Sequence, residues 1–164
     1  MAENLFIPGG NKEEKYQSLL PQLEALLDSE AGFIANAANF SAALHLTFRH
    51  LWTGFYMVKD DELVLGPFQG PIACTRIGYG KGVCGTAWKE GRTITVHDVN
   101  EFPGHIACSS LSRSEIVVPV FRCGVHENAS EAEIIAVLDI DSASVGTFDE
   151  TDKKFLEKIC SLLA

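Results

Sequence analysis

The residues of this chain that can do chemistry are a loop cysteine, three acidic residues beside strand-like runs and two aromatics on one strand face. The segment FPGHIACSSLSRSEIVVPV, residues 102–120, holds Cys108 among Pro103, Gly104, Ser109, Ser110 and Ser112, just before an apolar run. A free cysteine usually sits in a core as a small hydrophobe, so one in a polar, bendable loop is placed to react. His105 stands three residues earlier, close enough to influence the thiol in a tight loop. Glu115 opens the following strand and can serve that thiol as an acid or hydrogen-bond partner; an exposed strand-start glutamate is the plainer alternative.

The other cysteines differ in setting. Cys84, in GKGVCGTA, stands among Gly80, Gly82 and Gly85 at the start of an expected helix, where the N-terminus favours thiolate. Cys74, in PIACTRI, lies in a strand or a loop. Cys160 shares the apolar stripe of the last helix with Leu156 and Ile159 and reads as structural. Cys123 carries no clear signal. Five cysteines without a CxxC disfavour both a secreted disulfide framework and a common structural zinc site. His105, Cys108, Cys84 and Cys74 offer zinc only an HxxC, which is weak. GYGKGVCG lacks the GxxxxGK[ST] spacing of a phosphate loop.

Strand periodicity supplies two further groupings. In LWTGFYMV, Trp52 and Tyr56 share a face with Gly54 between them, which can wall a small ligand slot or simply pack a core. In AVLDID, Asp139 and Asp141 project from one face about 6.5–7 Å apart. Ile135 and Val137 continue that face, and only Arg113 and Arg122 stand on the preceding segment as cations. Such carboxylates are solvated at a strand end, bind a metal, or bind a ligand ammonium.

These side chains need a scaffold. With 164 residues, one domain is expected. The net charge of −9 argues against non-specific nucleic-acid or anionic-membrane binding. MAENLFIPGG lacks the features of a signal peptide, and no apolar run reaches membrane-spanning length, so a cytoplasmic protein is expected. Residues 1–28 read as an N-terminal helical segment that Pro21 kinks or begins. AGFIANAANFSAALHLTF reads as a second, well-buried helix. LWTGFYMV and ELVLGPF form a hairpin. GKGVCGTAWKEGR is a turn into a short helix, and TITV, EIVVPVF and EIIAVLDID are strands. Pro119 implies an edge or a bend, residues 124–132 are a polar loop, and 148–164 are a C-terminal amphipathic helix. The order predicts an α+β fold, an antiparallel sheet covered by terminal helices.

Taken together, LWTGFYMV, LVLGPFQGPIACTRIGYGKGVCGTAW, FPGHIACSSLSRSEIVVPV and VLDIDS resemble the free methionine-(R)-sulfoxide reductases, enzymes built on a GAF domain. The resemblance spans most of the chain and implies one GAF-like catalytic domain over 1–164. Its fold is a six-stranded antiparallel sheet with helices packed against it and a ligand pocket on the other face. It assigns the attack to Cys108, the main disulfide partner to Cys84, and a resolving or relay role to Cys74. Trp52 and Tyr56 match the walls around the substrate methyl and thioether. Glu115, Asp139 and Asp141 match the acids that hold the ammonium and engage the sulfoxide oxygen. It implies no cofactor, thioredoxin as external reductant, and a homodimer as one assembly. Ser109 departs from a frequent Asp, the loop CGVHENASEAE is long, and Cys123 is additional. A GAF-type sensory module and a zinc-stabilised interaction protein are the rival classes.

Overall fold

The computed structural model describes residues 4–106, 109–122 and 133–163. The order is α1 (Lys12–Leu26), α2 (Gly32–Phe48), β1 (Trp52–Lys59), β2 (Glu62–Gln69), β3 (Arg76–Gly78), α3 (Gly82–Glu90), β4 (Ile94–Val96), β5 (Ser114–Phe121), β6 (Ile134–Ser142) and α4 (Glu150–Ser161). The six strands make one antiparallel sheet in the order β3-β2-β1-β6-β5-β4, as expected. The β1–β2 hairpin turns at Asp60, which takes the left-handed conformation (φ 54°) that Asp tolerates better than bulkier residues. Among the described residues no helix is long and apolar enough to cross a membrane.

Period-two alternation splits the sheet into two chemically distinct faces. Phe55, Ile116, Val118, Leu138 and Ile140 face one way and join the apolar sides of α1, α2 and α4 in the main core. Trp52, Tyr56, Val117 and Val137 face the other way and pack under α3 with Val83, Cys84 and Ala87. Cys160 is buried in the main core, as its helical stripe predicted.

Three local expectations change in detail. α1 runs through Pro21, so that residue does not begin the helix; Asn11 does, through a capping box with Glu14. Pro21 is exposed, and the buried Tyr16, Leu19, Leu20 and Leu23 hold the helix despite the missing N–H. α2 is buried along one side only, leaving Ile34 and Leu46 exposed. Pro119 belongs to an inner strand, but β4 pairs with β5 only as far as Val117. Pro119 therefore stands where β5 becomes an outer edge. Cys123 and the loop at 124–132 lie outside the described residues.

The two ends of the chain are fastened by one polar cluster. Asp152 is fully buried and accepts from the Lys12 ammonium, the Tyr16 hydroxyl (2.9 Å) and the Asp149 backbone N–H (2.9 Å). Lys12 also donates to Asp149 (2.9 Å) and to the Thr147 carbonyl (2.9 Å). Burial works against the Lys12 charge, but its hydrogen bonds to Asp152 and Asp149 outweigh this and raise its pKa. Removing one partner from a buried charged cluster costs about 3–5 kcal/mol. Asp152→Ala is therefore expected to lose about that much in urea unfolding, while Lys12→Met, at a more exposed position, loses less.

Candidate active site

Strand register assembles the site. On β6, Asp141 lies between Trp52 of β1 and Glu115 of β5, and Asp139 lies between Gly54 and Val117. The three acids and the two aromatics therefore share the face roofed by α3. α3 begins at Gly82 after a tight turn in which Gly80 and Gly82 have positive φ (70° and 60°). Gly85 is needed for close approach, because a Cβ there would meet the Gly78 carbonyl oxygen at 2.4 Å. That approach lowers Cys84 onto the acids: its thiol donates to Glu115 Oε1 at 3.9 Å.

Around this centre, His105 Nε2 lies 3.6 Å from Glu115 Oε2, so His105 faces the acid. Ser112 donates to Asp141 Oδ1 at 2.5 Å. Asp139 Oδ1 is buried with no hydrogen-bond partner. Two clefts of about 20 Å³ each meet at Asp139 and Asp141. One runs under Gly82, Cys84, His105 and Glu115; the other runs beside Trp52, Tyr56, Ala73 and Ser109. An amino-acid-sized ligand has to part these walls, since each cleft has room for about one water. A larger cavity of about 390 Å³ lies elsewhere, against α4, and contains none of the expected site residues.

The slot expected over Gly54 is filled. A Cβ at Gly54 would meet Phe68 Cβ at 2.3 Å and the Trp52 ring at 2.7 Å. Glycine serves here to let Trp52 stack on Tyr56 (centroids 5.8 Å) and Phe68 (5.3 Å). The aromatics are a continuous wall beside the acids, fixed by Trp52 Nε1–H donating to the Pro71 carbonyl (3.2 Å) and Tyr56 O–H to the Cys74 carbonyl (3.0 Å).

The electrostatics follow from burial without cations. Arg113 reaches Asp98 (3.5 Å) and Arg122 reaches Glu133 (2.7 Å), so neither neutralises the acids. Burial, then the neighbouring Asp141, pushes the carboxyls of Glu115 and Asp139 well above their usual range. Burial also raises Asp141, against the Ser112 hydrogen bond. The expectation that a helix N-terminus would favour a Cys84 thiolate is overturned: burial, with Asp139 and Glu115 nearby, pushes the thiol well up. Cys84 is a free thiol, whereas Cys74 is disulfide-bonded. The pairing that the resemblance gave Cys84 is thus absent here, because its thiol is tucked under α3 among the acids. Cys108 lies outside the described residues. Sequence reading missed Ser112 and Phe68 as site builders. Ser112 carried only the faint signal of a serine two residues before the strand that bears Glu115.

The sulfur of Cys84 and carboxylate oxygens of Glu115 and Asp139 lie within 4.8 Å of one another, a spacing one metal ion can span.

Comparison with known proteins adds an independent line. Residues 16–164 match the GAF domain family. GAF domain-containing protein A of Dictyostelium discoideum is 56% identical over 164 residues, covering 99% of each chain. The free methionine-R-sulfoxide reductase of Escherichia coli is 46% identical, covering 93% of this chain and 88% of that one. The Neisseria meningitidis free methionine-R-sulfoxide reductase, solved in complex with its substrate, superposes with a TM-score of 0.90 at 48% identity, covering 98% and 92%.

The uncompensated acids also bear on stability. Their folded pKa values lie above the unfolded ones of about 4, so the folded state holds extra protons. Their contribution is most favourable below pH 4 and is lost as pH rises through the raised values. Asp139→Asn removes one such titrating group, and with it the cost of protonating it on folding, and is expected to raise Tm at pH 7 by a few degrees, at about 2–4 °C per kcal/mol. A thermal scan of both proteins at pH 5 and pH 7 checks this, with the gain larger at pH 7.

Proposed function

The chain belongs to the free methionine-R-sulfoxide reductases, a family of GAF domains, and we propose that it reduces free L-methionine-(R)-sulfoxide to L-methionine. The observation that carries this reading is the buried group of Glu115, Asp139 and Asp141 beside an aromatic wall, the free thiol of Cys84 and the disulfide-bonded Cys74. The preference for the R epimer rests on the relatives.

The Cys108 thiolate attacks the sulfoxide sulfur while protonated Glu115 donates to the oxygen. The sulfur–oxygen bond breaks, the oxygen passes with that proton to Cys108, and methionine leaves as the thioether. Cys108 is then a sulfenic acid. A raised carboxyl pKa supports Glu115 as the donor, since it keeps its proton where an ordinary glutamate has lost it. Asp141, less buried and held by Ser112, takes the ammonium together with Asp139. Trp52 and Tyr56 flank the methyl and thioether.

A second cysteine condenses with the sulfenic acid, releasing water. We assign this step to Cys74, which is supported by its engagement in a disulfide while Cys84 stays free. A dithiol protein of the thioredoxin kind then reduces the disulfide by exchange. Ile72 is 91% exposed two residues from Cys74 and offers such a partner an apolar landing point. Cysteines used this way fit a reducing cytoplasm. The chain also pairs as a homodimer through α2. Ile34, Ala38, Ala42 and Leu46 repeat every four residues along its outer side, and Ile34 and Leu46 are 57% and 53% exposed.

The first test couples NADPH consumption to thioredoxin and its reductase, comparing the R and S epimers of free methionine sulfoxide. Turnover of the R epimer alone, lost in Cys108→Ser and lowered about 100-fold or more in Glu115→Gln, is the expected result. Turnover of neither epimer points to a sensory binding module instead. Appreciable activity on oxidised protein overturns the free-amino-acid preference. Without reductant, Cys74→Ser is expected to yield one methionine per chain and a trappable sulfenic acid, while wild type yields one methionine and a disulfide. For the assembly, Leu46→Glu is expected to convert a dimer to a monomer in sedimentation equilibrium.

A further inference from the structure

The redox cycle leaves unused a buried thiol that lies within the site itself. Cys84 is a free thiol, 3% exposed, with Glu115 and Asp139 against it, each 6% exposed. Its sulfur and one oxygen from each acid lie within 4.8 Å of one another, and the Cys84–Glu115 separation is 3.9 Å. With zinc bonds of about 2.3 Å to sulfur and about 2.0–2.2 Å to oxygen, neighbouring donors in a tetrahedron stand about 3.5 Å apart. Small side-chain movements therefore close the set around one ion. Asp139 Oδ1 is buried in this cluster without any hydrogen-bond partner, an acceptor waiting for a cation or a donor. Water completes the fourth position; His105 Nε2, 3.6 Å from Glu115 Oε2, stands outside the converging three and faces the outer oxygen of that carboxylate. Asp141 flanks the set opposite Glu115, and Lys81 stands exposed at the cleft mouth. Among the described residues no other group of three such donors converges.

We propose that Cys84, Glu115 and Asp139 form a binding site for a dication of the zinc class, which enters in competition with methionine sulfoxide and holds the enzyme inactive. A thiolate with two carboxylates suits zinc and disfavours magnesium and calcium, which take oxygen sets. Binding displaces the Cys84 thiol proton and the protons held by Glu115 and Asp139, all of which leave to solvent, and forms one metal–sulfur and two metal–oxygen bonds; no electrons move. The ion occupies the acids that otherwise take the substrate's ammonium and assist its oxygen. The inhibition rests on the reductase reading; the binding does not.

Cobalt(II) is the probe, because thiolate ligation gives it a charge-transfer absorption that water and carboxylate do not. Reduced full-length protein is expected to bind one equivalent with that absorption. Cys84→Ser and Cys84→Ala lose it, while Cys74→Ser and Cys108→Ser keep it. Asp139→Asn weakens binding at least ~10-fold, since loss of even a supporting outer group costs that much. That variant is expected to be the more stable protein, so a weakened affinity is not unfolding. Saturating L-methionine displaces the cobalt, and zinc inhibits the coupled assay competitively until a chelator is added. An absorption that survives in Cys84→Ser, one that vanishes in Cys74→Ser or Cys108→Ser, or the absence of one-equivalent binding overturns the site. Binding without competitive inhibition overturns its effect on the enzyme. A chain that binds cobalt but reduces no sulfoxide keeps the site and loses the reductase reading.

Discussion

The whole site depends on the mutual burial of three carboxylates with no Lys or Arg among them. Antiparallel register sets Asp141 beside Glu115 and puts Asp139 two residues along the same face. α3 then closes over them at a distance that only Gly85 permits. A carboxylate moved out of water without a counter-ion shifts its pKa instead of staying charged. The cluster answers by holding protons: Glu115 and Asp139 titrate well above ordinary carboxyls, and the Cys84 thiol beside them keeps its own. A site built this way is short of cations and has protons to give, the two properties that the proposed reaction requires.

Another buried acid in the same chain shows the contrast. Asp152 is as deeply buried as Asp139, yet the Lys12 ammonium, the Tyr16 hydroxyl and the Asp149 N–H satisfy it. It joins α1 to α4 and supports the apolar face of the sheet. Asp139 has an oxygen with no partner at all. The first kind of burial stabilises a fold; the second stores a demand that a ligand meets. The main core of α1, α2 and α4 against the sheet supplies the stability that offsets this cost, and it does so on the opposite face, where its packing is undisturbed by the site.

Much of this arrangement was legible because strand periodicity is local. Trp52 with Tyr56, and Asp139 with Asp141, fall on shared faces by counting in twos, and Glu115 opens a strand in the same way. The antiparallel sheet followed from short connections. What could not be read were relations between distant segments. Phe68 fills the space over Gly54 because β2 pairs with β1 in a register interrupted between Gly54 and Tyr56. The Cys84 thiol sits on the first turn of α3, which by itself favours thiolate. Its surroundings are set by β5 and β6, more than thirty residues away, and they win. Ser112 became visible only when the loop before β5 laid it against Asp141. The engagement of Cys74 in a disulfide fits the resolving or relay role that the resemblance allowed it, although PIACTRI by itself carries no pairing signal.

In the proposed reading, selectivity for a free amino acid over a peptide follows from the same shortage of cations. A purely apolar pocket distinguishes ligands by shape, and one methylene there is worth only about 1–3 kcal/mol. A site whose buried polar groups require a partner discriminates far more strongly, by about 10⁴–10⁵-fold, because the wrong ligand leaves them unsatisfied. Peptide-bound methionine brings an amide where the free amino acid brings an ammonium. The amide offers one N–H and no charge, so it cannot satisfy Asp139 and Asp141 together. The aromatic wall of Trp52, Tyr56 and Phe68 would accept the thioether of either ligand. The carboxylates decide between them.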